Sequence, residues 1–171
     1  GVDRPIGAMS AGADRQSVGA AGRRALPGSV AHGCQLVVLG AGERRYEDYL
    51  RHEAEANPAQ VSASIGFDHH LAQLIYAGAD MVLMASRFEP CGLGPLIGMR
   101  YGTIPVVRAT GGLVDTVQDF DAATGAGTAF MFDVYATVRP LAGLVPADEA
   151  SRPRAHRGRR SSPMPTTDAR P

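Results

Sequence analysis

Ser86-Arg-Phe-Glu-Pro-Cys-Gly-Leu-Gly-Pro-Leu-Ile-Gly-Met-Arg-Tyr-Gly102 is the stretch on which the fold turns. The apolar run before it, Met81 to Ala85, reads as a buried strand, and Leu93 to Arg100 reads as a helix. Between them lies a turn with one carboxylate, Glu89, and the glycines Gly92 and Gly94. The start of a helix offers amide N–H groups that lack intrahelical acceptors, glycine lets a ligand approach the backbone, and a carboxylate accepts hydrogen bonds from hydroxyls. The combination suits a sugar or a phosphate, and Thr110-Gly-Gly-Leu113 supplies a second glycine loop downstream.

Outward from this turn, strand and helix alternate. Gln35 to Leu39 is an apolar run ending in Gly-Ala-Gly, as expected of a strand buried on both faces. Glu43 to Ala56 places Tyr46, Tyr49, Leu50 and Ala54 at helical spacing, with Pro58 just beyond. Val61 to Phe67 reads as a strand, His69 to Ala77 as a helix, Ile104 to Val107 as a strand, Leu113 to Gln118 as a short helix and Ala129 to Phe132 as a strand. This alternation predicts an α/β domain, a Rossmann-like parallel sheet with helices on both faces. Ligands of such sheets bind outside the carboxyl ends of the strands, where the Arg87 to Leu93 turn falls.

Five blocks in order, QLVVLGAG (35–42), IGFDHHLAQLIYAGAD (65–80), MASRFEPCGL (84–93), MRYGTIPVVRATGGLVDTV (99–117) and DAATGAGTAF (121–130), resemble the nucleotide-sugar half of bacterial glycogen synthases and plant starch synthases. These are retaining glucosyltransferases of the GT-B fold, so the resemblance implies one half of a GT-B fold. The implied activity is transfer of glucose from ADP-glucose to the non-reducing end of an α-1,4-glucan, with no cofactor and no metal. Whether ADP or UDP is preferred stays open.

The resemblance implies roles residue by residue. Glu89 contacts donor hydroxyls beside the bond being broken and is the candidate catalytic residue. The amides of Gly92, Leu93 and Gly94 face the distal phosphate. Cys91 belongs to the same turn, with packing as its expected role. Thr110, Gly111 and Gly112 form the loop that closes around sugar and phosphate, and Phe67 stands where an aromatic packs near the adenine. In the family a serine, an arginine and a lysine precede the first of these blocks. Ser10 fits the serine, but Ala11 and Gln16 stand where the two cations belong. Arg87 and Arg108 are the nearby cations able to replace them in part. An intact enzyme of this fold needs a second, N-terminal domain, which 171 residues cannot also contain. The chain is therefore expected to be inactive alone, and a nucleotide-binding module without chemistry is the alternative.

Composition excludes other classes. All 17 basic residues are arginine, which removes any mechanism needing a lysine, the P-loop included. A formal net charge of zero gives no general attraction to nucleic acid or to an acidic membrane, and neither partner is expected. Cys34 and Cys91 have neither disulfide-framework nor zinc spacing and fit a reducing cytoplasm. His69 and His70 are adjacent, hence divergent on a helix, and have no third ligand spaced with them. An oxidoreductase is disfavoured because Gly40 and Gly42 lack the third glycine of a dinucleotide fingerprint.

The ends differ from the middle. Residues 1–33 hold seven glycines and seven alanines with no sustained period, and only Pro5 to Met9 reads as a short strand. They are expected to form a divergent, weakly structured segment. Residues 34–135 form the donor-binding domain, and 136–171 a disordered tail: its last part, Ser151 to Pro171, carries six arginines and four prolines. Both poorly structured ends are expected to be out-of-frame translation of a GC-rich gene.

Overall fold

A computed structural model describes residues 4–10, 20–31 and 33–133. The elements run β1 (Ile6–Ser10), α1 (Ala20–Ala31), β2 (Gln35–Gly40), α2 (Arg44–Ala56), β3 (Val61–Ile65), α3 (His69–Gly78), β4 (Met81–Met84), α4 (Leu93–Arg100), β5 (Ile104–Arg108), α5 (Gly112–Thr116) and β6 (Phe130–Phe132). The six strands form one sheet in the order β3-β2-β1-β4-β5-β6 with every ladder parallel. The fold is Rossmann-like, and its strand order reverses direction between β1 and β4.

Alternation along the strands divides the core between the two faces. Met81 and Leu83 of β4 join Leu36, Val38, Ile104 and Val106 under Leu26 of α1 and Tyr46 and Leu50 of α2. Val82 and Met84 point the other way, into a cluster with Tyr76 of α3, Val107 and Leu113 of α5. Ala8 and Leu39 meet Ile75 of α3 on that same second face. All four residues of β4 are buried, which explains why this strand reads as an unbroken apolar run.

Local signals set the element ends. The Asp68 carboxylate accepts from the Leu71 amide at 2.9 Å and caps α3. At the far end of that helix, buried Thr103 Oγ1 donates to the carbonyls of Tyr76 and Ala79, joining α3 to the start of β5. Thr103→Val keeps the shape and removes the donor. A loss of about 1–3 kcal/mol in denaturant unfolding is the expected result.

Within residues 1–33, where the sequence predicts only a short strand at Pro5 to Met9, the described residues hold that strand and a helix. Ile6–Ser10 is a central strand, paired with β2 along its whole length and with β4 at Gly7 and Ala8, and Ala20–Ala31 is a helix. Ladders on both sides, rather than local apolar content, hold β1, and Leu26, 1 % exposed, anchors α1. The strand expected at Val61 to Phe67 ends at Ile65, because Gly66, at φ +151°, turns the chain away and leaves Phe67 outside the sheet. Ala11, Gln16 and the tail 136–171 lie outside the described residues.

Candidate functional site

The switch between β1 and β4 puts the β4–α4 turn beside the middle of the sheet at its carboxyl edge, where this topology leaves a crevice. Beyond Met84 the chain stays buried through Ala85 and Ser86 and emerges at Arg87 and Phe88. Glu89 is half-buried, and its carboxylate forms no hydrogen bond or ion pair with the described residues. Gly92 then enters the left-handed region at φ +64°, ψ +34° and opens α4. Among the described residues the Gly92, Leu93 and Gly94 amides donate no hydrogen bond. Three donors at the positive end of a helix are thus left without an internal partner, an arrangement that attracts anions.

Pro95 follows in the first turn of α4, is buried, and fits there without breaking the helix. Leu93 is 62 % exposed. Gly94 sits over β4: a Cβ there would lie 2.8 Å from Met84 Sδ. That is the end of a flexible side chain, so a small residue at 94 would be accommodated.

The second loop, Thr110-Gly111-Gly112, packs directly on this turn. The Gly112 amide donates to the Glu89 carbonyl at 2.7 Å, and Thr110 Oγ1 donates to the Arg87 carbonyl at 3.3 Å. A Cβ on Gly111 would lie 2.3 Å from the Glu89 carbonyl oxygen, and one on Gly112 would lie 2.7 Å from that of Pro90. The two backbones are therefore in contact, and glycine is required for closeness as well as for the φ of +50° at Gly111. The amide of Gly112 is committed to this contact, whereas those of Gly92 to Gly94 are not.

Arg87, Glu89, Cys91, Gly92, Leu93, Gly94, Thr110, Gly111 and Gly112 thus share one edge of the sheet. Phe67 stands apart. It follows β3, three strand spacings or about 14 Å from β4. Its ring is 86 % exposed and meets His69 edge-to-face with centroids 4.6 Å apart. Arg108, expected as a cation near the phosphate, has its Nη1 on the backbone of the turn, donating to the Ser86 carbonyl at 3.2 Å and the Arg87 carbonyl at 2.7 Å. Arg87 has an exposed side chain.

Sequence reasoning missed Thr116. Its Oγ1 bonds the Gly112 carbonyl at 2.9 Å and would lie 2.8 Å from a Cβ at Gly92, so it packs one loop against the other from within α5. It lies within the block 99–117, but nothing in the spacing singles it out. Cys91 is exposed, whereas burial, with Asp80 nearby, raises the pKa of the Cys34 thiol and keeps it protonated. Gly40 ends β2 and Gly42 follows it, so neither lies after the central β1 where a dinucleotide fingerprint belongs. Among the described residues no cluster of three or more His, Cys, Asp or Glu is placed to hold a metal, and no helix is long and apolar enough to cross a membrane.

Residues 24–144 match the family model described as glycosyl transferases group 1. The chain is 58 % identical over 101 residues to the glycogen synthase of Desulforudis audaxviator, a match covering 59 % of the chain and 20 % of the relative. It is 55 % identical over 101 residues to that of Bacillus subtilis, covering 59 % and 21 %. Among solved structures it resembles the catalytic domain of starch synthase IV from Arabidopsis thaliana bound to ADP and acarbose. The TM-score is 0.69 at 30 % identity, over 77 % of this chain and 28 % of that one. Anabaena HepE in complex with UDP-glucose matches at TM-score 0.65 and 15 % identity, over 92 % of this chain and 43 % of that one, a likeness of fold alone. The matched region spans about one fifth of the length of the curated relatives.

Proposed function

Since the chain belongs to the glycosyl transferases group 1 family, we propose that it is the donor-binding part of a glycogen or starch synthase-type glucosyltransferase. The donor is ADP-glucose, the acceptor is the non-reducing end of an α-1,4-glucan, and the configuration at the transferred carbon is retained. One observation carries this: the turn with three acceptor-free amides at the start of α4 also bears a carboxylate without a protein partner, Glu89. ADP-glucose has a distal phosphate for the amides and hexose hydroxyls for the carboxylate. The ADP in the starch synthase IV complex and the glycogen synthase relatives support the choice of donor.

The chemistry follows from where charge moves. When the glucose–oxygen bond breaks, negative charge grows on the departing phosphate, and the amides of Gly92, Leu93 and Gly94 at the positive end of α4 stabilise it. Glu89 accepts hydrogen bonds from sugar hydroxyls and fixes the ring beside the bond being broken. Thr110 and Gly111 border the same space, Phe67 receives the adenine about 14 Å across the sheet, and Cys91 packs within the turn. Arg87 is the side-chain cation of the turn whose guanidinium is turned to solvent and available to phosphate. Where Ala11 and Gln16 replace cations, each missing charged hydrogen bond lowers affinity about 10- to 100-fold.

The chain alone does not turn over, because the glucan acceptor surface belongs to the N-terminal domain of the complete enzyme. The site of action is the cytoplasm. The donor domain comprises residues 34–135 completed by β1 and α1 from the divergent segment 1–33. The test joins this chain to the N-terminal half of a glycogen synthase and follows labelled glucose from ADP-glucose into glycogen. Incorporation by the joined protein, with none by the chain alone, supports the proposal. No incorporation by either, while ADP still binds, leaves the second reading, a nucleotide-binding module without chemistry.

A further inference from the structure

The turn bearing Glu89 is held from outside by its backbone carbonyls. We infer that Arg108 is a positioning residue for Glu89, gripping the β4–α4 turn through the Ser86 and Arg87 carbonyls instead of binding phosphate; this rests on the reading of Glu89 given above. Arg108 ends β5, and its side chain reaches across to the neighbouring strand's exit. There Nη1 lies 3.2 Å from the Ser86 oxygen and 2.7 Å from the Arg87 oxygen. Thr110 Oγ1 reaches the same Arg87 oxygen at 3.3 Å, and the Gly112 amide reaches the Glu89 oxygen at 2.7 Å. Alternate residues of one loop, 108, 110 and 112, thus fasten carbonyls spread over residues 86 to 89 of the other.

Ala85 to Gly92 belong to no strand or helix, so ladder pairing does not fix the direction in which Glu89 points. A cationic donor to a carbonyl makes a stronger bond than a neutral one. Arg108 supplies the cationic tie in this set, and at buried Ser86 it does so where water competes less. The two glycine loops therefore behave as one unit, and the β5–α5 loop controls the aim of a carboxylate about twenty residues earlier in the chain.

Amide hydrogen exchange on the nucleotide-free chain, with calorimetric titration of ADP and of ADP-glucose, tests this in the unaltered chain, Arg108→Ala and Arg108→Lys. Arg108→Ala is expected to speed exchange over residues 86–92 about 10-fold, with β2 and β3 still protected. ADP-glucose affinity falls about 10-fold while ADP affinity changes less than about 3-fold, because only the sugar reaches Glu89. Arg108→Lys, keeping a charged donor, recovers part of both losses. Unchanged exchange with equal losses for ADP and ADP-glucose would make Arg108 a phosphate ligand and overturn the inference. Faster exchange spread over the whole sheet would make it a general structural residue and overturn it too. If the unaltered chain binds neither ligand, the reading of Glu89 falls, and exchange over residues 86–92 alone then decides whether Arg108 holds the turn.

Discussion

Gly111→Ala is expected to separate the two loops and destroy the site. The new Cβ would lie 2.3 Å from the Glu89 carbonyl oxygen, a backbone atom that cannot rotate aside. At φ +50°, ψ −139° the residue occupies a region that side chains avoid, at about 1–3 kcal/mol. Moving the loops apart also breaks the Gly112 to Glu89 bond of 2.7 Å, for a further 0.5–1.5 kcal/mol or so. A total of about 2–4 kcal/mol lowers the melting temperature by about 10 °C and removes nucleotide binding. Gly78→Ala is the control. No atom lies within 4 Å of its Cβ position, and its φ is not positive. It closes α3, so alanine there leaves stability unchanged or raises it slightly. Thermal melts of both variants with ADP titrations check the contrast. Equal melting temperatures would mean that the loops are not in contact.

Glu89→Gln is expected to separate binding from chemistry. The amide has nearly the shape of the carboxylate but lacks its charge and has one acceptor oxygen instead of two. In the chain joined to an N-terminal half, glucose transfer should fall about 10²- to 10³-fold, the scale of losing one preorganised polar group at the reacting centre. In the isolated chain ADP affinity should stay within about 2-fold, since ADP carries no hexose. ADP-glucose should lose its advantage over ADP. An equal fall for both ligands would place Glu89 on the phosphate side and contradict its assigned role.

What the sequence made legible depended on how each element is held. Strands β2, β4 and β5 are apolar runs because the middle of the sheet is covered on both faces, whereas the edge strand β3 alternates as VSASI. Strand β1 was legible only as a short strand at Pro5 to Met9, its central place in the sheet was not, and helix α1 did not announce itself. IGAMS has small residues, and its place follows from ladders to β2 and β4, strands 25 or more residues away. The residues of the site were legible because glycines and a carboxylate next to a strand end carry chemistry in their identities. The coupling between the loops was not, because its acceptors are the carbonyls of Ser86, Arg87 and Glu89, which every residue type possesses. Arg108 therefore read as a cation for the phosphate, and Thr116 as an unremarked member of the block 99–117.

The central claim is that the start of α4 and Glu89 grip a nucleotide sugar. Amide chemical shifts of the ¹⁵N-labelled chain, followed during an ADP-glucose titration, test it most directly. The account predicts saturable shifts centred on Gly92, Leu93 and Gly94, with smaller shifts at Phe67 and Gly111. An unchanged spectrum at millimolar ADP-glucose, or shifts confined to residues elsewhere on the sheet, would contradict it.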